Sequence, residues 1–383
     1  MKVNITSRGR YHMFDLAKQM ARLGYLNKLY TQYPPWMIED PIRAKSETFF
    51  WNLIPSLMVQ RLAPRNLRSK WRYIDRRNLD RWVASRLEPC DVFVWLSGSG
   101  LLSQEVAKRK YHALTVCDVG ASHAQEWEAL VSEECERWGW PYVPVDPQLM
   151  QRLLQEYEVC DLIVTPSTFV KQSFLKHGVP EHKVAVVPYG VDLSMFRQIP
   201  KEDDVFRVIY VGQMSLRKGI PYLLEAVAAL NLPKFEVWLV GARLPETQRF
   251  FAQYSDKFRY MGVVPRSELY KYLSQASVFV LASIEEGLAL VLAQAMACGL
   301  PIIATTNTGA MDLITDGVEG FIVPIRSPEA IRERIVYLYE NPAVHSQMAQ
   351  AALQRAQQMG SWELYGERMA AVYTQGLASL GTK

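Results

Sequence analysis

Short apolar runs alternate with stretches of helical period through most of this 383-residue chain. In the first half, Val3–Thr6, Lys28–Thr31, Val92–Leu96, Leu114–Cys117, Leu162–Thr165 and Val184–Val187 read as strands. Phe14–Leu23, Gln104–Lys108 and Phe169–His177 read as helices between several of them. The second half repeats the theme, with strands expected at Arg207–Val211, Phe235–Val240, Phe258–Met261, Val278–Leu281, Ile302–Ala304 and Gly320–Val323. Pro221–Leu230, Ser267–Gln275 and Glu329–Tyr339 are the expected helices there. Near-continuous apolar strands separated by helices predict parallel sheets covered on both faces, hence two doubly wound α/β units. The longest apolar run, Gly287 to Ala304, is broken by Gln294, Gly299 and Pro301, so it reads as helix plus strand and not as a membrane span.

The turn-rich Pro188-Tyr189-Gly190-Val191-Asp192 and the polar Pro200-Lys201-Glu202-Asp203-Asp204 bracket the expected boundary between the units. The length predicts two or three domains. Composition is that of an ordinary globular protein, 49% apolar and 21% charged. Five scattered cysteines with no metal or redox spacing, and an N-terminus without an apolar signal core, predict a soluble, reduced, cytoplasmic protein.

The segment Ala282 to Ala304 carries the strongest chemical signal. A strand ending at Leu281 runs into the acidic loop Ser283-Ile284-Glu285-Glu286, and a helix is expected from near Gly287 to Gly299. Free backbone N–H groups at such a helix start, beside Glu286 and at the carboxyl end of a strand, suit a phosphate with a carboxylate alongside to bond hydroxyls. An ordinary buried βαβ unit would give the same pattern. After strand Arg207–Val211 comes Gly212-Gln213-Met214-Ser215-Leu216-Arg217-Lys218-Gly219, where two adjacent cations can neutralise a diphosphate or merely face water. The loop Cys117-Asp118-Val119-Gly120-Ala121-Ser122-His123 places His123 toward a cleft between the units, or else within the core as a structural histidine. The carboxylate pairs Glu126/Glu128, Glu134/Glu136 and Glu156/Glu158 read as exposed helix faces, since i and i+2 point apart. The chain has no Asp-x-Asp pair.

The spacing of Glu286-Gly287, Gln294 eight residues after the first glutamate, and Ala295-Met296-Ala297-Cys298-Gly299-Leu300-Pro301-Ile302-Ile303-Ala304 resembles the nucleotide-sugar motif of retaining, family-four glycosyltransferases. Pro188-x-Gly190-Val191-Asp192-x-x-x-Phe196 resembles that family's hinge signature. The resemblance runs from about Val159 to Tyr373 and is thin over the first 120 residues. It departs at Gln294, where the family has glutamate, and at Gln213, where it has arginine; Lys218 matches and Arg217 stands in for the lost charge. The resemblance implies a GT-B fold: an acceptor-side unit over 1–195, a donor-binding unit over 196–360, and a terminal helix over 361–383 crossing back to the first. It also implies that Arg217 and Lys218 hold the diphosphate, with amides of Gly287, Leu288, Ala289 and Leu290. Glu286 and His123 then contact the donor sugar, Gln294 the ribose, and backbone at Val263 and Val264 the base. Gly9, Gly212 and Gln213 complete the donor set by position.

The expected function is thus metal-independent, retaining transfer of a hexose from a UDP- or GDP-sugar to a hydroxyl of a sugar or lipid-linked acceptor in glycan biosynthesis. No cofactor, metal or nucleic acid is called for. An epimerase or phosphorylase on the same fold, or a non-catalytic nucleotide-sugar-binding subunit, remains open. Arg43 to Arg86 carries eleven Lys or Arg against three Asp or Glu, threaded with aromatics. Leu67, Trp71, Ile74, Trp82, Val83 and Leu87 share one helical stripe, which either faces the core or, with the basic residues, docks the protein peripherally on an anionic membrane.

Overall fold

The computed structural model describes residues 1–192 and 194–381. The first unit runs β1 (Val3–Ser7), α1 (His12–Arg22), β2 (Leu26–Thr31), β3 (Ser46–Thr48), α2 (Leu53–Leu62), α3 (Arg65–Arg86), β4 (Val92–Leu96), α4 (Leu101–Tyr111) and β5 (Leu114–Asp118). It continues with α5 (Ala124–Arg137), α6 (Pro147–Val159), β6 (Leu162–Thr165), α7 (Thr168–Lys176) and β7 (Val184–Val186). Its sheet is parallel throughout, in the order β3-β2-β1-β4-β5-β6-β7.

The second unit holds β8 (Phe206–Val211), α8 (Ile220–Ala228), β9 (Phe235–Val240), α9 (Gln248–Gln253), β10 (Arg259–Gly262), α10 (Leu269–Ser274) and β11 (Val278–Leu281). After these come α11 (Leu290–Ala297), β12 (Ile302–Thr305), β13 (Gly320–Val323), α12 (Pro328–Glu340), α13 (Pro342–Gln358) and α14 (Trp362–Leu380). This sheet too is parallel, in the order β10-β9-β8-β11-β12-β13. The apolar strands are buried along both faces, as parallel sheets between helices require.

Helix α14 leaves the second unit and packs on the first. Tyr365, Met369 and Tyr373 join Met13, Phe14 and Met20 of α1 in one core. Gly366 permits this crossing, because a Cβ there would stand 2.3 Å from the Gln19 Cβ.

Two of the carboxylates read as exposed are buried instead. Glu156 accepts from Trp95 Nε1 (2.9 Å), Gly98 N (2.6 Å) and Gly100 N (2.9 Å), and lies 3.4 Å from Arg152. Arg152 also donates to Gly98 O at 2.9 Å and pairs with buried Asp80. Glu134 is buried against Trp138 Nε1 (2.7 Å) and Arg326 of the second unit (2.9 Å). Such charges are held inside because each oxygen has donors that replace water. The i, i+2 argument separated members of each pair correctly but gave no information on which face meets the core.

Replacing Glu156 with Ala strips the loop 97–100 of its anchor and leaves the Arg152 charge short of a partner. The expected loss is about 3–5 kcal/mol in urea denaturation; a loss below about 1 kcal/mol would show that the loop holds itself.

Candidate active site between two switch points

In each sheet the strand order reverses once, between β1 and β4 and between β8 and β11. Loops leaving the carboxyl ends of strands at such a reversal diverge to opposite faces and open a crevice. The second reversal brings Arg217, Lys218 and Glu286 together. Gly219, at φ +66°, starts α8 and lies so close to the exit of β11 that a Cβ would stand 1.7 Å from Ala282 O. Ile284 N–H donates to Arg217 O at 2.8 Å, which ties the two loops directly.

Arg217 Nη1 donates to Glu285 O (2.7 Å) and to Glu285 Oε2 (3.1 Å), and lies 3.3 Å from Glu286 Oε2. Lys218 Nζ bonds the same Glu286 oxygen. Two cations therefore face two carboxylates, so any anion entering here has to share or displace Glu286. Burial draws Lys218 below its ordinary pKa against the pull of Glu286. For Arg217, burial opposes the charge, but Glu286 and Glu285 outweigh it and hold the guanidinium above its usual value.

Glu285 is the residue the sequence reading passed over. It is buried, and its Oε1 accepts from both N and Oγ of Ser122 in the first unit at 3.0 Å each. The only sequence signal was a second glutamate where the motif needs one. Beside it, a Cβ on Gly287 would stand 2.1 Å from Gly120 O, so the units touch backbone to backbone here. Ser167 Oγ donates to Gly287 O at 2.5 Å, and Thr168 N to Asp312 Oδ2 at 2.8 Å, on the same seam.

The helix expected from Gly287 begins at Leu290, so Gly287–Ala289 is a loop. Glu286 N–H donates to Asn307 O (2.9 Å) and Ala289 N–H to Thr308 O (3.4 Å), which spends the Ala289 amide within the protein. Among the described residues no side chain caps α11, whose N-cap is Ala289; Leu292 N–H turns back to Ala289 O (2.9 Å), which leaves the Leu290 and Val291 amides for a ligand or water. Gln294 lies half-buried on the same helix. Gly212, Gly241 and Gly262 stand at the carboxyl ends of β8, β9 and β10, with Gly241 N–H donating to Gly262 O at 2.7 Å. Gln213 and Val263 are exposed at this rim, and Val264 packs partly against the core.

At the first reversal, a cavity of about 560 Å³ opens within the N-terminal unit, walled by the loops after β1, β4 and β5 and by α3. His12, at the start of α1, bonds Asp118 Oδ1 at 2.6 Å, and the Tyr189 ring lies on His12 with centroids 4.5 Å apart. Gly9 forms the turn before α1, its carbonyl accepting from Ser7 Oγ at 2.7 Å. His123 does not face the cleft. It is 3% exposed at the N-cap of α5, stacked on His177 (4.3 Å) and edge-on to Phe174 (5.0 Å), with Nδ1 lacking a partner among the described residues. At an N-cap the extended backbone turns the side chain off the helix axis, and here the aromatic pocket takes it.

A family model described as Glycosyltransferase Family 4 matches residues 10–195, and one described as Glycosyl transferases group 1 matches residues 193–355. The D-inositol 3-phosphate glycosyltransferase of Kribbella flavida is 28% identical over 59% of this chain and 60% of its own length. A GDP-mannose-dependent monoacylated alpha-(1-6)-phosphatidylinositol monomannoside mannosyltransferase of Corynebacterium glutamicum is 26% identical over 65% of this chain and 70% of its own. In fold, the chain is similar to sucrose-phosphate synthase of Thermosynechococcus elongatus (TM-score 0.77, 19% identity, 99% and 100% of the two chains). It is also similar to Anabaena HepE in complex with UDP-glucose (TM-score 0.72, 16% identity, 98% and 100%).

Burial, then the neighbouring His177, lowers the His123 pKa to about 4. Below the unfolded value of about 6.5, the unfolded chain takes up a proton that the folded chain refuses, so stability falls as pH drops from about 6.5 to 4. His123→Phe should remove about 3 kcal/mol of that fall in thermal or urea melts, while His345, also lowered by burial, keeps its own share. An unchanged pH slope would place a charged or solvated ring at this position.

Proposed function

Because this chain belongs to the family-four glycosyltransferases of GT-B fold, we propose that it transfers a hexose from a UDP- or GDP-sugar to an acceptor hydroxyl, with retention and without a metal. The observation that carries this reading is the meeting of Arg217, Lys218 and Glu286 at one switch point, directly across the seam from the cavity at the other. Arg217 and Lys218, with the uncapped amides of α11, hold the diphosphate and absorb the charge that develops as its bond to the sugar breaks. Glu286 then turns to the sugar hydroxyls. Gln294 takes the ribose, and the glycine-lined rim ending at Val263 and Val264 takes the base. The acceptor oxygen bonds the anomeric carbon on the face the phosphate leaves, and the departing phosphate oxygen receives the acceptor proton. His123, packed inside the first unit, has no part in this.

The test is product formation from UDP- and GDP-hexoses with EDTA present, the anomeric configuration read by NMR, alongside calorimetric binding of the free nucleoside diphosphate. Retained configuration in EDTA, loss of turnover in Glu286→Ala, and about tenfold or greater loss of diphosphate affinity in Lys218→Ala are expected. Activity that requires added magnesium or manganese, or unchanged affinity in Lys218→Ala, would overturn the assignment.

We propose further that residues 43–86 dock the protein on the cytoplasmic face of an anionic membrane. The C-terminal half of α3 faces the core through Val83 and Leu87, with Trp82 stacked on Phe49 at 5.2 Å. The outer face of α2 and of the first turns of α3 does not. Trp51 (67% exposed), Ile54, Leu57, Met58 and Leu62 (79%) form one outward face, with Trp36 beside Phe50 at 5.3 Å. Exposed Arg61 and Lys70 border it, each contributing about 1 kcal/mol near an anionic surface. No helix among the described residues is long and apolar enough to cross a membrane, so the face would lie on the surface. Flotation with anionic vesicles should be lost in a Trp51→Ser, Leu62→Ser double variant; equal flotation of the variant, or none by the parent at low salt, would rule out this face.

A further inference from the structure

The cavity of the first unit is lined by three arginines whose charge the protein balances only in part. Arg8 follows β1; Arg72 and Arg76 are one turn apart on α3. Arg8 Nε lies 2.9 Å from Asp75 Oδ2, and Asp75 is fixed from behind by Gln32 (3.1 Å) and Asn52 (2.6 Å) on its other oxygen. Neither Arg72 nor Arg76 has an ion pair or hydrogen bond among the described residues. The next carboxylate, Glu156, is consumed by two loop amides, the Trp95 indole and Arg152. Burial and then Arg8 hold both guanidinium groups below their ordinary range, as expected of cations crowded together.

With Arg152 and its partners Asp80 and Glu156 included, four guanidinium groups stand against three carboxylates, which leaves the cavity wall about one positive charge in excess. A phosphate monoester carries about −1.5 to −2 at neutral pH and has three acceptor oxygens, which planar guanidinium groups bind in pairs. The opposite wall of the same cavity is the loop Gly120–Ser122, which touches Gly287 and Glu285 of the donor side. We propose that the acceptor is a phosphate-bearing molecule, its phosphate seated on Arg8, Arg72 and Arg76 and its hydroxyl directed past Gly120 toward the anomeric carbon of the donor. This rests on the glycosyl-transfer reading above. In that step the bond from the anomeric carbon to the leaving phosphate breaks, a bond to the acceptor oxygen forms, and the acceptor's own phosphate is untouched. His12, held by Asp118 behind it, lines the way between the two ends.

The test is calorimetric titration of the full chain with glycerol 3-phosphate, and flotation with vesicles of phosphatidic acid in phosphatidylcholine. UDP and GDP are titrated in parallel. Arg72→Gln and Arg76→Gln should each weaken glycerol 3-phosphate binding about tenfold or more and leave nucleoside diphosphate binding within about twofold. Binding confined to the soluble ester identifies a free phosphate. Phosphatidic acid vesicles that lose the Arg72→Gln and Arg76→Gln variants, while phosphatidylglycerol vesicles of equal charge retain them, identify a lipid headgroup. Either result supports the site. Phosphate affinity unchanged in both arginine variants, or lowered only in Lys218→Ala, overturns it, because the phosphate then sits elsewhere or on the donor cations. If neither nucleotide binds the parent chain, the transfer reading fails, while the arginine variants still decide whether the cavity holds phosphate.

Discussion

The buried carboxylate of Glu285 couples the two halves of this molecule at the Arg217–Lys218–Glu286 cluster. One oxygen is held by the N–H and hydroxyl of Ser122 in the first unit, the other by Arg217 in the second. Arg217 shares Glu286 with Lys218, so the seam between the units and the donor cluster form one continuous network. A buried charge is stable only while its partners stay in place. Separating the units would return Glu285 to water and free Arg217 to rearrange. Opening of the cleft and the charge pattern of the Arg217–Lys218–Glu286 cluster are therefore one variable.

The fold was legible because parallel strands buried on both faces must be apolar along their whole length, and that signal does not depend on partners far away. The missed elements show the limit. β3 is three residues long and half-buried, and α2 is apolar on its outer face, so neither has the periodicity of a packed element. The start of α11 was placed three residues early because Leu288 and Ala289 are buried like helix residues while their backbone is tied to Thr308. Within the site, the loops carrying Arg217, Lys218 and Glu286 could be placed from the strands they follow. The aim of a side chain could not: His123 and Asp118 lie on the same loop, and the structure turns Asp118, not His123, toward His12 at the cavity. Nor could the sequence show which charges are spent, since Arg152 and Arg76 look alike until Asp80 and Glu156 are found ion-paired with only one of them.

Helix α3 serves three environments along its 22 residues. Its last turns hold up the sheet through Leu79 and Val83. Asp80 on the inner face anchors the start of α4 through Leu102 N (2.7 Å) and Ser103 N (2.9 Å). One turn earlier, Asp75, Arg72 and Arg76 supply the cavity wall. Its beginning adjoins α2 and the outward apolar face. A basic segment that reads from composition as one surface is thus divided by helical rotation into support, binding wall and rim.

The return of α14 has a consequence for how the chain reaches this state. Arg22 of α1 bonds Glu363, 341 positions away, and the core beneath them is closed by Tyr365, Met369 and Tyr373. The core of the second unit, from Val208 to Ala356, takes in Cys135 of α5 as its one buried residue from the first unit and is otherwise built from residues that precede α14. The first unit, though translated earlier, must keep the apolar face of α1 uncovered until the segment beyond residue 361 arrives. Closing so long a loop is slow but adds little entropy cost for each further residue. During synthesis it is the earlier half that is exposed to aggregation and chaperone capture, with completion running backward along the chain.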